Sequence, residues 1–457
     1  MFQHRATHAR SPAHEVALDC LEAGVRGADP AQATLDALAV DGDRLEITTD
    51  ETTTVDLSRF GRILVLGGGK AAPGVARALD DRLGDRVSDG LVVAPADHPA
   101  VGGSIGPVSI LPGGHPVPTP AGVGATDRLL DLAESADERT LVLALVTGGA
   151  SALLAAPAGH LAVADLRGVT RALLDAGADI EEINAVRKHV SRVKGGRLAA
   201  TAAPATVVGI AVSDVVGDPP SVIGSGPTAP DSTTYDDALA VLSRYGIDAP
   251  AVHSHLEAGA AGECPETPSP GDPAVADVGT QAVAGSRTAI DAAAEAAADL
   301  GFEPCVLSSR IRGEAHAAAR THVAIAEEVA ATGDPVEPPA VLLSGGETTV
   351  DVQGDGEGGP NTEFALAAAM ALGAGIDETG ADVVVAAIDT DGRDGATDAA
   401  GALVDAETVT DLEAAREALA RNDSLGYLDA RGAALRTGAT GTNVNDLRVL
   451  VVHDPSD

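Results

Sequence analysis

The chain of 457 residues is short of positive charge: 30 Lys plus Arg stand against 68 Asp plus Glu, a formal net charge of −38. A surface this negative repels phosphate backbones and anionic headgroups, which excludes sequence-independent binding of nucleic acid or of a membrane surface. Cysteine is scarce as well. Cys20, Cys264 and Cys305 are far apart and form no C-x-x-C, so they read as small buried hydrophobes rather than a disulfide framework or a zinc site. No apolar run approaches the roughly 20 residues of a spanning helix. The first residues, with Arg5 and Arg10, lack the apolar core of a signal peptide. The expectation is a soluble, cytoplasmic protein.

What is present sharpens this reading. Hydrophobic residues make up 45%, enough for a real core beneath the acid. Such acidity is expected of a halophile's surface, where salt screens self-repulsion. Only three lysines occur, Lys70, Lys188 and Lys194, in a chain that otherwise takes its positive charge from arginine. A compact ammonium is therefore expected to matter at those three points.

Short apolar runs alternate with Ala-rich helical stretches. RILVL at 62–66, the run at 91–94, LVLALV at 141–146 and the run at 207–212 read as strands. A Pro-, Gly- and acid-rich stretch then intervenes, after which the alternation resumes through strands at 303–307, 340–343, 383–388 and 448–452. The pattern predicts an N-terminal domain over 1–250, a linker over 251–279 and a C-terminal domain over 280–457. Both are expected to be Rossmann-like α/β/α domains with mostly parallel sheets.

Several segments could carry chemistry. Gly67-Gly68-Gly69-Lys70 follows a strand and precedes a helix, where backbone N–H groups and the helix dipole favour an anion. It fits neither a Walker A loop nor G-x-G-x-x-G, and a tight structural turn is the other reading. Thr147-Gly148-Gly149-Ala150-Ser151 repeats the theme, with Ser151 either a helix N-cap or a substrate contact. NAVRKHVSRVKGGR at 184–197 concentrates Arg187, Lys188, Arg192, Lys194 and Arg197 against the acidic background. Those side chains read either as salt-bridged helix tips or as recognition of phosphate or carboxylate. Asp214, after a strand and before Asp218, is placed either to accept a hydroxyl proton or to cap a turn. The second half offers SGGETT at 344–349, GGPNTE at 358–363 and TGTNVND at 440–446. It also carries an aspartate-rich loop at 389–398 that fails the EF-hand spacing and is either solvated acid or a magnesium contact.

In this order the motifs resemble the glycerate 2-kinase family that carries a C-terminal MOFRL domain. The resemblance rests on GGGKA (67–71), GGHPVP (113–118), TGGASALL (147–154), NAVRKHVSRVKGGRLA (184–199), SDVVGDPPSVIGSGPT (213–228), SGGETTV (344–350), GGPNTE (358–363), TDGRDGATDAAGA (390–402) and TGTNVNDL (440–447). It implies two α/β domains facing an interdomain cleft, and ATP-dependent phosphorylation of D-glycerate at its 2-hydroxyl. By position, Lys70 resembles the family's catalytic lysine and Asp214 the carboxylate beside the reacting hydroxyl. Gly68, Gly69, Ser151, Arg187, Lys188, Lys194 and Asp218 are expected to hold substrate or phosphate. Gly345, Gly346, Glu347, Asn361 and Asn443 are expected at the nucleotide, with Asp391 and Asp394 at Mg2+. Pro360 and Thr362 depart from the family's usual Arg and Gln. A hydroxypyruvate reductase and a non-catalytic sugar-acid binding protein are the alternatives. The expected partners are glycerate and ATP, with a homodimer allowed.

Overall fold

The computed structural model describes residues 1–49, 51–375 and 382–453. It divides into two compact units, one of Pro30–Val283 and one of Met1–Asp29 with Ala284–Asp457.

In the unit of Pro30–Val283, strands Leu38–Asp41, Arg44–Thr48 and Thr52–Asp56 form a small antiparallel sheet. The main sheet has seven strands in the order Gly279–Ala284, Thr206–Val212, Thr140–Thr147, Arg62–Gly68, Asp89–Pro95, Val108–Gly113 and Ser104–Ile105. Strand Thr140–Thr147 is buried at every residue. That is why it reads as a continuous apolar run rather than an alternation. Leu64, Leu66, Val142, Ala144 and Val146 pack under helix Pro120–Glu134, which Thr119 caps through its hydroxyl. A separate helical cluster forms from Val163–Asp175, Ile180–His189, Tyr235–Tyr245 and Pro250–Ala260. Its core includes Leu166, Val169, Ile183, Val190 and Leu242, and such side chains each contribute about 1.5–3 kcal/mol on burial.

In the other unit, six strands run in the order Glu303–Ile311, Ala340–Gly346, Asp446–His453, Asp382–Asp389, Gly401–Val404 and Ala434–Leu435. Both faces are covered. Val341, Leu343, Val449 and Val451 face helices Pro12–Gly27 and Ser286–Asp299. Ala340, Leu342, Leu450 and Val452 face Ala315–Thr332 and Pro360–Gly375. The period of two along each strand thus places apolar groups on both sides.

The expectation of two Rossmann-like domains with mostly parallel sheets is overturned. Both units are α/β, but the second sheet pairs in parallel only between Glu303–Ile311 and Ala340–Gly346, and its other four pairings are antiparallel. With the small antiparallel sheet and the antiparallel edge at Ser104–Ile105, the architecture is mixed and largely antiparallel. The physical reason is that a strand buried on both faces is uniformly apolar in either direction, so its composition carries no sign of its polarity.

Candidate active site

The glycine turn after Arg62–Gly68 is shaped by its neighbour. Gly69 has φ +139°, and a Cβ there would overlap the Thr147 hydroxyl. Only glycine lets the two backbones approach this closely. The turn is pinned by Gly69 N–H to the Val93 carbonyl (3.0 Å) and Lys70 N–H to the Gly148 carbonyl (2.8 Å). Ala71 N–H adds a bond to the Thr147 hydroxyl at 3.2 Å. Gly68 is buried at the strand end, whereas Lys70 is exposed.

The second turn gathers side chains around itself. A Cβ on Gly148 would overlap the Asp214 carboxylate. One on Gly149, where φ is +83°, would lie 2.9 Å from the His115 ring and 3.3 Å from Lys70 Cγ. Lys70, Asp214 and His115 therefore surround Gly148-Gly149. Burial holds the Asp214 carboxyl above the usual range, while its own backbone N–H and the Lys70 charge pull the other way. Burial, then Lys70, lowers the His115 imidazole, against Asp97. His115 had no role assigned from the sequence, although it stands in GGHPVP at 113–118.

Beside these turns lies a cavity of about 200 Å³, lined by residues that include His115, Gly149, Ser151, Leu166, Thr170, Arg187 and Lys194. Lys194 is 3% exposed, and its ammonium donates to the Leu154 carbonyl at 2.9 Å. Burial, and secondarily Arg187, push it down to about 7. Burial also lowers the Arg187 guanidinium. Neither side chain forms an ion pair among the described residues, so the cavity presents two desolvated cations without a counter-ion.

Lys188 behaves differently from its neighbours. It is absent from the cavity lining and donates to Asp231 Oδ1 at 2.9 Å in a buried ion pair. Ser151 lines the cavity and shares a 2.9 Å hydrogen bond with Ser225, which donates to Asn184 Oδ1 at 2.9 Å. The N-cap of the short helix Ala150–Leu153 is Gly149, not Ser151. Asp218, at φ +55°, closes the turn after Asp214 through its N–H to the Val215 carbonyl at 3.0 Å.

The residues expected at nucleotide and metal lie in the other unit. Gly345 and Gly346 end strand Ala340–Gly346, and Glu347 N–H donates to the Ile311 carbonyl at 2.9 Å. Asn361 donates through Nδ2 to Asp446 (2.7 Å) and Asp394 (3.3 Å). Asp394 is fully buried and also accepts from Asn361 N–H and from both Thr362 N–H and its hydroxyl. It thereby satisfies the start of helix Pro360–Gly375, where Pro360 has no N–H to satisfy. Burial raises Asp394 to about 6 despite those donors. Asp391 accepts from Arg393 N–H at 2.8 Å and donates its own N–H to Asp389 at 3.0 Å. Burial and the Asp391 charge raise Asp389. Asn443 accepts from Asn445 N–H at 3.3 Å. Asp446 also pairs with the fully buried Arg448, two residues on along the same face of strand Asp446–His453. Among the described residues no group of three His, Cys, Asp or Glu is disposed to hold a metal ion, and no helix is long and apolar enough to cross a membrane.

Residues 16–257 match the family described as Domain of unknown function (DUF4147), and residues 340–446 match the MOFRL family. D-glycerate 2-kinase of Thermotoga maritima is 40% identical, over 86% of this chain and 91% of its own. Glycerate 2-kinase of Pyrococcus horikoshii is 36% identical, over 96% of this chain and 97% of its own. A protein of Agrobacterium vitis named putative hydroxypyruvate reductase is 41% identical, over 86% of this chain and 87% of its own. The crystal structure of glycerate kinase from Thermotoga maritima matches with a TM-score of 0.82 at 36% identity, covering 96% of this chain and 99% of that one. The chain belongs to the glycerate kinase family built from DUF4147 and MOFRL domains.

Proposed function

We propose that the chain transfers the γ-phosphoryl group of ATP to the 2-hydroxyl of D-glycerate, giving 2-phosphoglycerate and ADP. The observation that carries this reading is the cavity holding Arg187 and Lys194 without counter-ions, beside the turns that bring Lys70 and Asp214 together. A small carboxylate supplies the missing negative charge, and the bidentate guanidinium fixes its orientation. Asp214 accepts the proton of the 2-hydroxyl as that oxygen bonds to the γ-phosphorus, and the bond to the β-phosphate oxygen breaks. Its raised carboxyl pKa suits a base that must later release the proton. Lys70 neutralises charge on the transferring group, where positioning and electrostatics dominate the chemistry. Gly68, Gly69 and Ser151 offer hydrogen bonds at the same turns, and Asp218 shapes the loop behind Asp214.

For the phosphoryl donor, we assign Gly345, Gly346, Glu347, Asn361 and Asn443 to nucleotide contacts. Magnesium would arrive with the phosphates, as it usually does. Asp391 is the better carboxylate for it, because both oxygens of Asp394 accept from the helix start. A cytoplasm of high ionic strength fits the −38 charge.

The name of the Agrobacterium vitis relative favours a second reading, NAD(P)H-dependent reduction of hydroxypyruvate. Two parallel assays separate them. ADP release that requires D-glycerate, with no NADH or NADPH oxidation on hydroxypyruvate, supports the kinase; the reverse pattern removes it.

A further inference from the structure

Helix Val163–Asp175 supplies two residues to the cavity that no motif announces, Leu166 and Thr170. The chemistry lies at Gly149, against which Lys70 and His115 sit, and the charge lies at Arg187 and Lys194. Leu166 and Thr170 form an uncharged wall. Leu166 is 8% exposed and packed in the helical core with Val169 and Val190, so it cannot swing aside without disturbing that cluster. Thr170 is half-buried, and its hydroxyl makes no hydrogen bond within the protein among the described residues. The cavity of about 200 Å³ has room for a small acid.

We propose that Leu166 and Thr170 decide which 2-hydroxy acid is accepted, Thr170 by bonding the C3 hydroxyl and Leu166 by stopping the carbon chain at three. The inference rests on the glycerate reading above. A hydroxyl pairing contributes modestly, whereas a wall met by an additional carbon discriminates more steeply.

The test compares D-glycerate with D-lactate, which lacks the C3 hydroxyl, and with the four-carbon D-erythronate. Thr170→Val keeps shape and removes the hydroxyl. It is expected to raise the KM for D-glycerate about fivefold while leaving the inhibition constant of D-lactate unchanged. Leu166→Ala is expected to raise kcat/KM for D-erythronate relative to D-glycerate by about tenfold or more. Should Leu166→Ala fail to fold, judged by circular dichroism, the near-isosteric Thr170→Val still decides. A preference for glycerate over lactate that survives Thr170→Val overturns the assignment of Thr170, and an unchanged erythronate ratio in folded Leu166→Ala overturns that of Leu166. Wild-type phosphorylation of D-glycerate is the control: its absence defeats the parent reading, whereas its presence with unaltered selectivity defeats only this inference.

Discussion

Lys188 and Asp231 form an ion pair at 2.9 Å with both side chains almost wholly buried, while Lys194, beyond the end of the same helix, finds only the Leu154 carbonyl. The difference separates a lysine whose charge is matched within the fold from one whose charge is not. Lys188→Met leaves the Asp231 carboxylate buried without its partner and is expected to cost about 3–5 kcal/mol in urea unfolding. Adding Asp231→Asn should recover part of that loss. Burial raises the Asp231 carboxyl, but Lys188 and Thr233 lower it further, so its net shift is downward. Its contribution is thus present above the unfolded value of about 3.9 and disappears as pH falls through its lower folded value.

Lys194 is shifted in the same direction for the opposite reason, loss of hydration rather than gain of a partner. Burial and Arg187 bring its ammonium down to about 7, below the unfolded value of about 10.4. Between those values the unfolded chain holds more protons, so stability without ligand should rise with pH across that window. Lys194→Met should flatten the rise, as measured by unfolding midpoints in a pH series. Binding of an anion needs the charged form, so kcat/KM for the acid should fall as pH climbs above about 7, and Lys194→Arg should remove that limb.

On the proposed mechanism, turnover depends on Lys70 and Asp214. Lys70→Arg places a planar fork where the turn presents a compact ammonium, and kcat is expected to fall about 10²–10³-fold. Asp214→Asn should lower kcat and also abolish the acidic limb of the rate profile, which the raised carboxyl pKa displaces upward from an ordinary aspartate. Near wild-type turnover in either variant would take that residue out of the chemistry.

The net charge of −38 should make the fold sensitive to salt. Thermal melts in rising KCl are expected to show a rising Tm as the self-repulsion is screened, with the steepest gain at low concentration. A Tm indifferent to KCl would show that the acid is compensated locally.

Much of the candidate site's geometry was legible because the relevant signals are local. An apolar run ending in Gly67-Gly68-Gly69-Lys70 announces a turn and an exposed ammonium, and the run before Thr147-Gly148-Gly149 announces its partner. The strand direction of the C-terminal sheet was not legible, since 383–388 and 448–452 are apolar on both faces and read alike in either orientation. Nor could spacing tell Lys188 from Lys194: the deciding carboxylate, Asp231, lies 43 residues beyond Lys188. From the sequence, Asp394 is expected with Asp391 at Mg2+ because of its place in an acid-rich loop. Its commitment to the start of helix Pro360–Gly375 depends on a backbone approach from a distant segment. Pro360 opens that helix, in the position where a missing N–H does least harm.

The most direct test of the central claim is a phosphorus NMR time course of D-glycerate, ATP and magnesium with the wild-type protein, with the product passed to enolase. The account predicts ADP and 2-phosphoglycerate in equal amounts, with the product consumed by enolase alone. Accumulation of 3-phosphoglycerate, or no phosphorylated acid at all, would contradict it.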